Sequence, residues 1–183
     1  YGTVVDADTG QYNSCAVLDN GTAACWGWNS VGQLGNGMYY QSDGYPRYPV
    51  AMVHGENIVK VSVGGRTICF LLDNSKIKCT GAGSYGQLGN GGNPVSVSTP
   101  VEATFLPNET IIDFEVSESY GDDSVCALLD NGSVKCWGYN QNGQLGTGDL
   151  VYRSTPTFVS QFGNNRTAVD IAVGAYHTCA VLS

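Results

Sequence analysis

Four short stretches of the chain alternate apolar and polar side chains with a period of two. They are "TVVDADTG" (3–10), "IVKVSVGG" (58–65), "IIDFEVSE" (111–118) and "AVDIAVGA" (168–175). Such alternation predicts strands that bury one face. After each comes a second apolar run containing a cysteine, at Cys15, Cys69, Cys126 and Cys179. In the first three copies a turn of Asp-Asn-Gly or Asp-Asn-Ser then leads to a third run ending near Cys25, Cys79 or Cys136. No segment sustains a helical period, and Gly or Pro recurs too often for long helices. The predicted class is all-β.

These elements recur as a block. "CAVLDNGTAACWGWNSVGQLGNG" (15–37), "CFLLDNSKIKCTGAGSYGQLGNG" (69–91) and "CALLDNGSVKCWGYNQNGQLGTG" (126–148) align, and a fourth copy begins at "HTCAVLS". Their first cysteines lie 54, 57 and 53 residues apart. After each GQLG a variable loop runs to an aligned proline: Pro49, Pro100 and Pro156. Each unit reads as strand, strand, tight turn, strand, glycine loop and a variable excursion with a short edge strand. A period above fifty residues with about four strands suits a propeller blade. Residues 1–183 are therefore expected to form part of one β-propeller domain, with repeats at about 3–57, 58–110, 111–167 and 168–183, the last incomplete.

"HTCAVLS", "CWGYNQNGQLGTG" and "CWGWNSVGQLGNG" resemble the repeats of the regulator-of-chromosome-condensation family, in the cysteine-bearing form of secreted and bacterial proteins. The resemblance covers essentially the whole chain and implies blades of a ring that family members typically close with seven. The second copy departs from the pattern: Thr80 replaces the tryptophan, and "GAGSYG" replaces the asparagine loop. The position two before the first cysteine also varies, as Asn13, Thr67, Ser124 and His177.

The turn length sets the hairpin register. With Asp19-Asn20-Gly21 as a three-residue loop, Leu18 faces Thr22 and Cys15 faces Cys25 at a closely spaced, non-hydrogen-bonded pair. The same count pairs Cys69 with Cys79 and Cys126 with Cys136. Three cross-strand disulfides are expected, with Cys179 unpaired in this sequence. Zinc sites and redox centres favour closer C-x-x-C spacing, so neither a metal nor a cofactor is expected. Ser75 stands where the other turns have Gly, which predicts strain or a different turn there.

Trp26 and Trp137, beside the second cysteines, are expected to pack between neighbouring blades. GQLG is read as a tight turn, Gly32 to Gly35 in the first copy, anchored by Leu34 and its equivalents Leu88 and Leu145. No helix N-terminus or lysine follows it, so nucleotide binding has little support. N-x-[ST] occurs at Asn20, Asn108, Asn131 and Asn165, at hairpin tips or in variable loops, making these candidate N-glycosylation sites. The loop "GMYYQSDGYPRYP" carries Tyr39, Tyr40, Tyr45 and Tyr48, a candidate binding loop whose rings could stack on sugars, anchor a protein or cover a blade edge. Asp6, Asp8, Glu115, Glu118, Asp122 and Asp123 follow no ligand pattern and are expected as solvated charge. His54 and His177 have no nucleophile arrangement, and no catalytic residue is assigned.

Composition narrows the function classes. Of 183 residues 42% are hydrophobic and only 13% charged, too apolar for disorder. A net charge of -8 argues against nucleic acid as a partner. No apolar run is long enough to enter a bilayer. The opening at Tyr1, without Met, is read as a processed chain or part of a longer one. Disulfides imply an oxidising, extracellular or cell-surface setting. The expected role is a non-enzymatic structural or protein-interaction module, acting through protein partners or self-association, with attached or bound glycan. The alternative is an inhibitor-like or lectin-like module using blade-edge loops. Guanine-nucleotide exchange, which the resemblance also implies, fits an acidic, disulfide-bonded chain less well.

Overall fold

The computed structural model describes residues 2–40, 46–51, 56–160, 162–163 and 166–183. Those residues form strands joined by turns and contain no helix. The first sheet orders β1 (Val4–Thr9), β2 (Asn13–Leu18), β3 (Ala23–Gly27) and β4 (Val50–Ala51) side by side. The second orders β5 (Ile58–Val63), β6 (Thr67–Leu72), β7 (Ile77–Ala82) and β8 (Ser96–Glu102). The third contains β9 (Ile111–Val116), β10 (Ser124–Leu129), β11 (Val134–Gly138) and β12 (Arg153–Phe158). β13 (Ala168–Val173) and β14 (Thr178–Leu182) form a two-stranded sheet. Every pairing is antiparallel. Sequential antiparallel sheets stacked face to face are the blades of a β-propeller.

The first strands of successive sheets lie against one another, which places them at the propeller's inner side. Asp6 and Asp8 of β1 accept the backbone N–H groups of Val61 and Val63 in β5, at 2.8 and 2.7 Å. Lys60 of β5 donates to Asp113 and, at 2.9 Å, to Glu115 of β9. Burial works against the charge of Lys60, but these hydrogen bonds outweigh it and hold its ammonium above the ordinary lysine range. Asp6, Asp8 and Glu115 are therefore not simply solvated, as their lack of pattern suggested; they lace blades together where strand edges would otherwise be bare.

The hairpins follow from the turn. Cys15 faces Cys25, Cys69 faces Cys79 and Cys126 faces Cys136, each pair bonded through sulfur with Cα atoms 4.1 Å apart. That spacing is the close, non-hydrogen-bonded kind. Ser75 keeps the same turn as its glycine counterparts. Its N–H donates to Leu72 O at 3.0 Å, as Gly21 donates to Leu18 O and Gly132 to Leu129 O at 2.9 Å. Ser75 does so at φ 61°, in the left-handed region where Gly21 and Gly132 sit at 77° and 76°.

The core lies between blades. Leu71, Ile77 and Leu88 of the second sheet pack with Phe114, Val116, Val125 and Trp137 of the third. Trp137 is fully buried, and its indole N–H donates to Gln87 O at 3.0 Å in the preceding blade's glycine loop. Thr80, at the same place in the second copy, does this with a hydroxyl that reaches Gly32 O at 3.0 Å. A smaller residue thus keeps the polar latch while giving up the ring.

Candidate functional site

The up-and-down order of strands gives the propeller two different faces. The β2–β3 turns, and the loops leading from one blade's last strand to the next blade's first, lie on one face. The β1–β2 and β3–β4 connections lie on the other. On the first face Asn20, Asn131 and Asn108 are exposed. Asn20 Oδ1 accepts from Thr22 N and, at 2.7 Å, from the Thr22 hydroxyl, and Asn131 Oδ1 accepts from Ser133 N at 2.9 Å. Both are Asx turns. Asn165 lies outside the described residues.

The opposite face collects aromatic rings from different blades. Tyr12 follows β1 and Trp28 follows β3, while Tyr120 comes from the β9–β10 loop two blades away. Trp28 and Tyr120 stack with ring centroids 6.1 Å apart and planes 9° from parallel. Tyr12 meets both edge-on, at 5.8 and 6.0 Å. Arg66, from the β5–β6 loop between them, sets its guanidinium 5.0 Å from the Trp28 centroid and 4.2 Å from that of Tyr120. A second cluster joins Tyr85, Tyr139 and Tyr152, with centroids 4.9 to 5.2 Å apart. Desolvation raises the Tyr139 and Tyr152 hydroxyls above the ordinary phenol range; next in weight come Asp122 for Tyr139 and Tyr85 for Tyr152. These three rings touch one another and leave no slot between them.

The Arg66 loop is built in place. Asp123, wholly buried, accepts the N–H groups of Gly65 at 3.1 Å and Arg66 at 2.9 Å. Arg66 O accepts from Ala82 N at 3.0 Å. A Cβ at Gly65 would collide with the Ser119 carbonyl, so only glycine allows the close approach. Burial pushes the Asp123 carboxyl up to about 7, against the pull of its hydrogen bonds to Arg66, Thr67, Gly65 and Ser119. The expectation that Asp123 is solvated charge is corrected here: it is an interior anchor. Glu118 is exposed and Asp122 half-buried.

An open cleft of about 590 Å³ lies beside the first cluster, lined by Tyr12, Trp26, Trp28, Pro46, Arg47 and Tyr120. Clefts of about 530 and 390 Å³ at the fourth sheet are of another kind. The second of them is bounded by Leu145, Gly146, Val159 and Phe162, the region matching the seat that Trp137 fills one blade earlier. It is an inter-blade seat beside a two-stranded sheet.

The tyrosines singled out from sequence are scattered. Tyr39 and Tyr48 are 50% and 71% exposed, and Tyr40 is held by Asn36 Nδ2 and Met38 Sδ at 3.3 and 3.1 Å. Tyr45 and His54 lie outside the described residues. Among the described tyrosines of this loop no ring contacts another. Sequence reasoning missed Tyr12, Trp28, Arg66 and Tyr120. A signal was present: Tyr12, Arg66, Asp123 and Tyr176 all stand three residues before a first cysteine, a variable position in a constant frame.

The GQLG loops are internally satisfied. Leu34, Leu88 and Leu145 are fully buried, and Gln33, Gln87 and Gln144 turn Oε1 back onto the N–H of residues 31, 85 and 142. Asn29 and Asn140 accept the N–H groups of Leu34 and Leu145. Amides consumed in this way cannot cradle a phosphate. Among the described residues no three His, Cys, Asp or Glu side chains converge as a metal site, and no helix is long and apolar enough to cross a membrane. Cys179 is exposed and unpaired.

Stapled hairpins, latched blades and successive antiparallel sheets define a β-propeller. The sequence model of the regulator of chromosome condensation (RCC1) repeat matches residues 20–71, 79–128 and 131–181, and a second model of that repeat matches 4–33 and 58–87. The chain belongs to this repeat family. It is similar to human "Probable E3 ubiquitin-protein ligase HERC6", 29% identical over 97% of this chain and 17% of that protein. The fold is shared with human WBSCR16 (TM-score 0.82, 23% identity, 100% of this chain and 46% of that one). It is also shared with Prp20p of Saccharomyces cerevisiae (TM-score 0.78, 16% identity, 95% and 42%), whose structure was described with its binding to Gsp1p and histones. The chain spans less than half the length of each of these proteins.

Proposed function

We propose that the chain is a non-enzymatic recognition module of an oxidising, extracellular or cell-surface setting, which engages a partner through the face bearing Tyr12, Trp28, Arg66 and Tyr120. The observation that carries this reading is the gathering of exposed Tyr12 and Tyr120 with half-buried Trp28, from separate blades, around an open cleft. Tyr and Trp supply large contact area at low entropic cost and are enriched at binding hot spots. Three disulfides support the oxidising setting. Protein binding by Prp20p supports a protein partner by analogy of fold. The ligase activity named for HERC6 does not carry over, because the match takes in 17% of that protein.

Asn20, Asn108 and Asn131 are proposed to carry glycans on the opposite face, which leaves the aromatic face clear. In this reading Tyr39 and Tyr48 are rim contacts, the repeats run at about 3–57, 58–110, 111–167 and 168–183, and the blades belong to a seven-bladed ring.

The test is a capture comparison. The chain, with disulfides intact, is immobilised and exposed to extracellular fluid of its source, beside a Tyr12→Ala/Trp28→Ala/Tyr120→Ala variant and an Asn20→Asp/Asn131→Asp variant. The reading expects retained proteins to disappear with the first variant and persist with the second. Equal retention by all three would sink it.

A further inference from the structure

We propose that the cleft beside Trp28 and Tyr120 is a subsite for an acidic sugar, a hexuronate residue of a glycan. This rests on the reading of the aromatic face as the binding face and names the chemistry of one ligand for it. The walls come first. Trp28 and Tyr120 are parallel and Tyr12 closes them edge-on, so the cleft offers flat apolar surface, as the carbon-bound hydrogens of a pyranose ring require. A volume of about 590 Å³ lies within the range of small-molecule sites, roughly 300–1,000 Å³.

Charge decides the kind of sugar. Arg47 lines the cleft, and Arg66 lies over the faces of two of its rings. Neither forms an ion pair among the described residues, although the chain carries 16 Asp and Glu. Among the described residues no acidic side chain lines the cleft. Arg66 does not itself line the cleft; its backbone is fixed by Asp123 and Ala82, which holds its guanidinium against the rings. A guanidinium laid over rings keeps its N–H edge for a carboxylate, which it meets in a bidentate pair. A uronate supplies both parts on one ring: an apolar face for the tyrosine rings and a carboxylate at its edge for Arg47. A glutamate side chain brings the carboxylate without the face. A nucleotide brings a face with a phosphate of higher charge, against a chain of net charge -8.

The experiment titrates the intact, oxidised chain with trigalacturonate, neutral galactotriose, hexaglutamate and AMP, following tryptophan fluorescence and calorimetric heat. Trigalacturonate is expected to bind, with galactotriose at least about tenfold weaker, the scale of one charge-assisted hydrogen bond. Arg47→Gln and Tyr120→Ala, both on exposed side chains, should each weaken trigalacturonate by about tenfold or more while leaving the thermal midpoint in place. Equal binding of the neutral trisaccharide, stronger binding of hexaglutamate or AMP, or no binding of trigalacturonate each overturns the proposal. If proteins are still lost from the aromatic variant in the capture comparison while trigalacturonate fails to bind, the sugar assignment falls and the binding face stands. If that comparison shows no difference, the face itself falls.

Discussion

Trp137 and Trp26 occupy the same place in two repeats but have different surroundings, which makes them a matched pair for measuring what holds blades together. Trp137→Phe removes the indole N–H from Gln87 O and leaves that carbonyl unpaired in a dry interface. Orphaning a buried polar group costs about 1–3 kcal/mol. The smaller ring also leaves space beside Gly89, Ala103 and Phe105, for which a cavity term of about 1 kcal/mol is expected. Together these predict a loss of about 2–4 kcal/mol. Trp26 is only half-buried, and its indole has no hydrogen bond among the described residues. Trp26→Phe should therefore cost under about 1 kcal/mol, the range of surface substitutions. Urea unfolding followed by far-ultraviolet circular dichroism gives both values without depending on tryptophan emission. Equal losses in the two variants would refute the latch and assign the recurrence of tryptophan to something other than inter-blade hydrogen bonding.

Three further outcomes are expected. Ser75→Gly should stabilise the chain by about 0.5–1 kcal/mol in the same unfolding assay, because Ser75 holds a left-handed conformation that glycine adopts freely. Alkylation without reductant followed by intact mass should find six cysteines blocked and Cys179 alone labelled; labelling of most of them would remove the staples. Asp123, raised from 3.8 to about 7 by burial, binds its proton more tightly folded than unfolded. Its contribution is therefore full below about pH 4 and lost as pH rises to about 7, with a slope of up to about 1.4 kcal/mol per pH unit. Asp123→Asn should remove that slope from a series of urea titrations between pH 5 and 8, and identical pH profiles would contradict it.

The scaffold was legible because it repeats. The Asp-Asn-Gly turns set the hairpin register, so facing cysteines could be paired by counting, and the GQLG leucines fell into the core as the glycine turns required. Trp137 between blades followed from its recurrence. The aromatic face was not legible in the same way. Tyr12, Arg66 and Tyr120 come from three blades and meet only because the propeller brings their loops together, so no spacing along the chain reports it. Asp123 was misread for a related reason. Its partners Gly65 and Arg66 belong to the preceding blade, and a carboxylate without local partners looks like surface charge. The tyrosine-rich loop drew attention by density within one segment, yet Tyr39, Tyr40 and Tyr48 do not assemble.

Hydroxyl-radical footprinting with a retained partner tests the assignment of the binding face most directly. Tyr12, Trp28 and Tyr120 should lose reactivity when the partner is bound, while the turns at 19–21, 73–75 and 130–132 keep theirs. Protection of those turns, with the three rings still reactive, would contradict it.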